Sequence, residues 1–128
     1  MYLDFFGLSE PPFSITPDTG FYYSNPDHQA ALNMLLVAVR SGESFIKVVG
    51  EVGTGKTLLC RMLLAELEGR YATAWLPNPQ MSAGELRRAL AEELGMEDVA
   101  GDSEHTLGER LAERMVELYA QGKPVVLL

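Results

Sequence analysis

At 128 residues the chain is the size of one domain, and an apolar content of 47% is enough to build a core, which excludes a disordered or low-complexity protein. Ten basic against eighteen acidic residues leave a net charge of −8, with the acids scattered over helical stretches rather than gathered in a tail. That balance argues against general attraction to nucleic acid or to an anionic membrane, though it leaves room for a local basic patch. The single cysteine, Cys60, rules out a disulfide framework and zinc spacing. The N-terminus has neither the basic region nor the apolar stretch of a signal peptide, and no run approaches the roughly 18 apolar residues of a membrane span, so a cytoplasmic location is expected.

Residues 1–25 carry seven of the eleven aromatics, at Tyr2, Phe5, Phe6, Phe13, Phe21, Tyr22 and Tyr23, with neither a helical nor a strand period. Pro11, Pro12, Pro17 and Gly20 forbid a long regular element. The segment is expected to be an irregular arm that drapes over the domain and buries its rings. Part of it could wall an adenine pocket, or it could serve packing alone. A helix is expected from Pro26 to about Ser41, capped by Ser24 or Asn25 and closed by Gly42, with Leu32, Leu35, Leu36 and Val39 on the face toward a sheet. His28 falls in its first turn and reads by itself as a solvated or locally bonded histidine.

Phe45-Ile46-Lys47-Val48-Val49 reads as a buried strand running into Gly50-Glu51-Val52-Gly53-Thr54-Gly55-Lys56-Thr57, which fits GxxxxGKT at every fixed position. A helical apolar pattern starts at Leu58, so this Walker A loop has the strand before and helix after that it requires. The chemistry explains the residue types. A triphosphate needs inward-pointing backbone N–H groups on a tight curve, which Gly50, Gly53 and Gly55 permit. The helix that follows offers unpaired N–H groups and its positive dipole end to an anion. Lys56 is placed to reach the β- and γ-phosphates, and Thr57 to give its hydroxyl to Mg²⁺. The candidate nucleotide-binding residues therefore run from Gly50 through Leu58, with Lys56 and Thr57 as the catalytic candidates and Thr57 as the metal contact. A Rossmann dinucleotide site fails on spacing, because the third glycine of GxGxxG would fall on Leu58.

The next helix is expected from Lys56 to about Glu68. It is apolar nearly all round, and Cys60 in it is a small buried side chain. Ala72 to Leu76 reads as a strand stopped by Pro77, Asn78 and Pro79. Ser82 and Glu85 form a capping box for a helix through about Leu94, with Leu86, Ala89, Leu90 and Leu94 on its inner face. A loop over residues 101–105 follows, in which His105, Asp102 and Glu104 read as solvated surface rather than as ligands. Thr106 and Glu109 suggest a second capping box for a helix with Leu107, Leu111, Met115 and Leu118 facing inward, ended by Gly122. Lys123 to Leu128 begins a third strand.

Strands alternating with helices, without internal repeats, indicate an α/β fold: a parallel sheet covered by helices on both faces, with ligands at the carboxyl ends of the strands. The expected organisation is an arm over residues 1–25 and a partial nucleotide-binding domain over residues 26–128.

The whole chain resembles the N-terminal part of the ExeA/GspA and MshM group of AAA+ ATPases, of type II secretion and MSHA-type pilus biogenesis. The resemblance is carried by the opening Met1-Tyr2-Leu3-Asp4-Phe5-Phe6-Gly7-Leu8 and by Pro12-Phe13-Ser14-Ile15-Thr16-Pro17-Asp18. It continues through Phe21-Tyr22, His28 with Ala30-Ala31-Leu32, and Gly50 to Thr57 running on to Leu59-Cys60-Arg61. It implies a P-loop NTPase fold of AAA+ type with strand order 5-1-4-3-2, ATP with Mg²⁺, and homo-oligomeric assembly in the full-length protein. It also implies inner-membrane secretion or pilus proteins as partners, and the cytoplasmic face of that membrane as the location. In that group the third strand leads into the Asp-Glu pair of Walker B, and the sequence stops at Leu128 where the pair should begin. The expectation is of part of a longer ATPase that binds nucleotide without hydrolysing it.

Two other functions fit the same loop. One is a nucleotide-regulated DNA transposition or replication-loader ATPase, which would need a basic region that the −8 charge does not supply. The other is a small P-loop kinase, disfavoured by the arm and helix that precede the first strand.

Overall fold

A computed structural model describes every residue except Met1, Ser14, Pro17 and Pro79. The part expected of Ser14 and Pro17 in the arm, of Pro79 in stopping a strand, and of Met1 in the opening motif lies outside the described residues. The chain divides into two compact units, Met1–Leu63 and Leu64–Leu128.

In the first unit, α1 (Tyr2–Phe6) is followed by a 3-10 turn at Thr19–Phe21 and by α2 (Pro26–Arg40). Asn25 caps α2 by accepting from the Asp27 N–H at 2.9 Å, and Pro26 occupies the first turn, where a missing N–H costs nothing. Leu32, Leu35 and Leu36 are buried on one face of α2, with Val39 only partly so. The arm departs from expectation. Its short helix stacks rings on one another, Phe5 on Phe6 edge to face at 4.9 Å, but Phe5, Phe6, Phe13 and Tyr23 stay exposed. Edge-to-face pairing satisfies two rings locally and removes far less surface from water than seating them in a core.

A second departure concerns Phe45 to Val49, which forms no strand; Phe45 is 97% and Val49 79% exposed. A strand exists only where another offers it a ladder, and the one ladder among the described residues lies elsewhere. The apolar run is visible in sequence, but its partner is not.

That ladder belongs to the second unit, which α3 (Lys56–Leu67) enters from the first. Leu59, Leu63 and Leu67 make a buried stripe on α3 at a spacing of four. Beyond it, β1 (Ala72–Ala74) pairs in parallel with β2 (Val125–Leu127), in the register Ala72 with Val125, Thr73 with Val126 and Ala74 with Leu127. Flanking bonds, Leu76 N–H to Leu128 O at 2.7 Å and Leu128 N–H to Ala74 O at 2.9 Å, carry the contact toward the longer strands read from sequence. Parallel strands need a long crossover, supplied here by α4 (Ala83–Glu93) and α5 (Glu104–Ala120), which pack against β1 and β2. The adjacency of β1 and β2 is that of the second and third strands in the order 5-1-4-3-2, and Phe45 to Val49 pairs with neither of them.

The core of this unit is Ala74, Leu90, Ala91, Leu94, Leu107, Leu111 and Leu118, with Met115 and Val125 packed at its margin. The inner face of α4 is turned from the expected one, since Ala91 is buried and Leu86 is 40% exposed. The capping box at Ser82 and Glu85 is formed in both directions, at 3.3 and 2.7 Å. At α5 the cap is Ser103, which accepts from the Thr106 N–H, so the helix starts before the Thr106–Glu109 box that the sequence suggested. Ser103 is as good a cap as Thr106 and stands three residues earlier, which leaves Thr106 inside the first turn.

Candidate phosphate-binding loop

The residues Gly50 to Thr57 turn tightly out of the unpaired segment and into α3. Gly53 and Gly55 sit at φ of +82° and +84°, the left-handed region that side chains with a Cβ resist. Gly50 is required for a different reason. A Cβ there would lie 2.9 Å from Thr54 Oγ1, so the Thr54 side chain that bonds the Glu51 carbonyl would have to shift.

Three donors converge on the Glu51 carbonyl: the Thr54 hydroxyl at 2.8 Å, the Thr54 N–H at 3.4 Å and the Lys56 ammonium at 2.6 Å. Lys56 Nζ also donates to the Gly50 carbonyl at 2.6 Å. The ammonium therefore spans the opening of the loop. Glu51 O has two lone pairs for three donors, so it keeps a partner in Thr54 if Lys56 turns toward an anion. The first helical bond is Leu59 N–H to Gly55 O at 2.9 Å, leaving the amides of Gly55, Lys56, Thr57 and Leu58 without partners among the described residues. Four consecutive free N–H groups, a helix dipole and a lysine gather donors suited to an anion on one short segment. Thr57 is exposed, with its hydroxyl uncommitted among the described residues, and Val52 is fully exposed at the tip.

The structure adds a residue to this set. His28, expected to be solvated or locally bonded, instead places Nε2 2.8 Å from the Thr54 carbonyl, 26 residues away in sequence. Its ring approaches Gly55 so closely that a Cβ there would lie 2.9 Å from Cε1. Tyr22 of the arm stacks on the imidazole at 6.3 Å, and its hydroxyl is buried without a partner among the described residues. Motif spacing could not have found His28, because the link is made across the fold; the only sign was its place in the resemblance.

The remaining candidates are engaged in contacts of their own. Asp102 pairs with Arg110, which also donates to the Glu97 and Asp98 carbonyls, and Glu104 pairs with Arg87 at 3.5 Å. These acids pin the connection between α4 and α5, and no group of three or more His, Cys, Asp or Glu side chains that could hold a metal occurs among the described residues. His105 lies in the first turn of α5, paired with Glu109 at 3.4 Å. Cys60 is only partly buried, against the buried side chain expected, and that desolvation pushes its thiol up.

Residues 39–128 match the AAA domain family, and the chain belongs to it. Over all 128 residues it is also 35% identical to General secretion pathway protein A of Aeromonas hydrophila. It spans 23% of the length of that relative. No solved structure matches. No helix among the described residues is long and apolar enough to cross a membrane.

Proposed function

We propose that this chain binds Mg·ATP in the loop from Gly50 to Thr57, as the nucleotide-holding part of an AAA+ ATPase that serves a secretion or pilus-assembly system. The observation that carries the reading is the loop itself. Left-handed Gly53 and Gly55 lead into the free N-terminal amides of α3, with the Lys56 ammonium across the opening. On binding, Lys56 exchanges its two carbonyl partners for phosphate oxygens, where charge-assisted bonds are stronger than those to neutral carbonyls. The free amides from Gly55 to Leu58 hold the remaining oxygens, and Thr57 contributes its hydroxyl to Mg²⁺. Bound Mg²⁺ supplies charge neutralisation across the phosphates.

Membership of the AAA domain family supports ATP as the nucleotide, and similarity to a general secretion pathway protein supports export as the process. Assembly with further copies, work beside inner-membrane proteins and a cytoplasmic location belong to the same proposal. So does the division into an arm over residues 1–25 and a nucleotide-binding domain over residues 26–128. With a net charge of −8, direct contact with nucleic acid is no part of it. The test is a titration with a fluorescent ATP analogue and Mg²⁺. Lys56→Ala should weaken binding by about a hundredfold or more, as expected for a charged partner of a triphosphate. Equal affinity in the variant and the parent would overturn the assignment.

A further inference from the structure

His28 belongs to the first turn of α2, yet its imidazole meets the phosphate loop through both a polar and a steric contact. A carbonyl oxygen only accepts, so in the 2.8 Å contact with Thr54 O it is His28 Nε2 that carries the proton. Tyr22 lies nearly parallel to the ring, at an interplanar angle of 17°. The arm, α2 and the loop thus meet at one imidazole.

The consequence for the loop follows from peptide geometry. No cis peptide occurs among the described residues, and in a trans peptide the C=O and the following N–H point to opposite sides. Holding the Thr54 oxygen on His28 therefore turns the Gly55 N–H away from the imidazole. Gly55 tolerates either sign of φ, so its own stereochemistry offers little resistance to a flip of this plane. An outside donor decides which way it faces.

We propose that His28 is a positioning residue for nucleotide binding: its Nε2–H locks the Thr54–Gly55 peptide so that the Gly55 amide is presented to the phosphates, while Tyr22 keeps the imidazole in register. The proposal rests on the nucleotide reading of the loop. It also accounts for the ring lying against Gly55, where a Cβ would come 2.9 Å from Cε1.

Two substitutions separate the hydrogen bond from the packing. His28→Phe keeps a flat ring against Tyr22 and Gly55 but removes the donor, whereas His28→Gln places an amide N–H near the position of Nε2. Titration of the full chain with the fluorescent ATP analogue should show affinity reduced about tenfold by Phe and held within about threefold by Gln, the scale of one hydrogen bond. In ¹⁵N-resolved spectra the parent should show a protonated Nε2, and the Gly55 amide resonance should move in the Phe variant and return toward its parent position in the Gln variant. Parent-like affinity in His28→Phe, or an equal loss in His28→Gln, overturns the positioning role while leaving the nucleotide reading intact. Failure of the parent chain to bind the analogue overturns the nucleotide reading and the proposal together.

Discussion

The segment leading into the glycine-rich loop and the strand β1 are built from similar material and end differently. Phe45 to Val49 is the more apolar of the two, yet its side chains are exposed and its backbone has no ladder. Ala72 to Ala74 is short and small, yet Ala74 is fully buried because β2 pairs with it and α4 packs on it. Hydrophobicity selects what can be buried, but a ladder partner decides what is. The difference extends to how each region is held. The unit from Leu64 to Leu128 rests on a cluster of interlocking leucines, whereas the loop from Gly50 to Thr57 is held by hydrogen bonds to its own carbonyls and to His28.

Substitutions that strike one mode of support and spare the other would sharpen the contrast. The largest effect is expected from Leu107→Ala, since that side chain is only 1% exposed at the centre of the cluster. Truncation should destabilise by about 2–5 kcal/mol, the usual cost of a leucine-sized cavity. Denaturant unfolding would measure it, and amide exchange should show protection lost in α4, α5, β1 and β2. A loss confined to the loop would break the comparison.

A smaller effect, on the other side of the contrast, is expected from Gly55→Ala. The new residue would be held at positive φ against the His28 ring, a strain of about 1–3 kcal/mol. ATP-analogue titration should record weakened binding while amide exchange in β1 and β2 stays as in the parent. Loss of protection in those strands would show that the loop and the leucine cluster share their support.

The smallest is Ser82→Ala, which removes the cap of α4 at a cost of about 1 kcal/mol. The same box carries a pH dependence. The Ser82 N–H, and then its hydroxyl, hold the Glu85 carboxyl below its ordinary value. A carboxylate depressed in the folded state adds stability that is present above its unfolded pKa and is lost as pH falls through the folded one. The parent should therefore lose stability through and below the normal glutamate range, and Ser82→Ala should lessen that slope. Thermal unfolding across an acid pH series reads both; an unchanged slope would assign the Glu85 shift to the Ser82 N–H alone, which the variant keeps.

Much of this was legible in the sequence, for reasons that particular residues make plain. Asn25 and Pro26 announce α2, Ser82 and Glu85 announce α4, and the leucines at helical spacing in α5 name most of the core, because capping and burial on one helix face are local properties. The cap of α5 was misplaced because Ser103 and Thr106 offer the same chemistry three residues apart. The exposure of Phe13 and Tyr23 could not be read, since a ring is buried only where another surface accepts it.

By itself the sequence determined the glycine-rich turn from Gly50 to Thr57, the glycines its curve demands and the helix behind it, because the bonds that close the turn, from Thr54 and Lys56 to the Gly50 and Glu51 carbonyls, are local. Only the tertiary structure decided that β1 finds its partner in β2 while Phe45 to Val49 finds none among the described residues. It also decided that His28 reaches the Thr54 carbonyl. Each of those outcomes depends on groups distant along the chain arriving within hydrogen-bonding distance, and no local pattern of residues encodes that arrival.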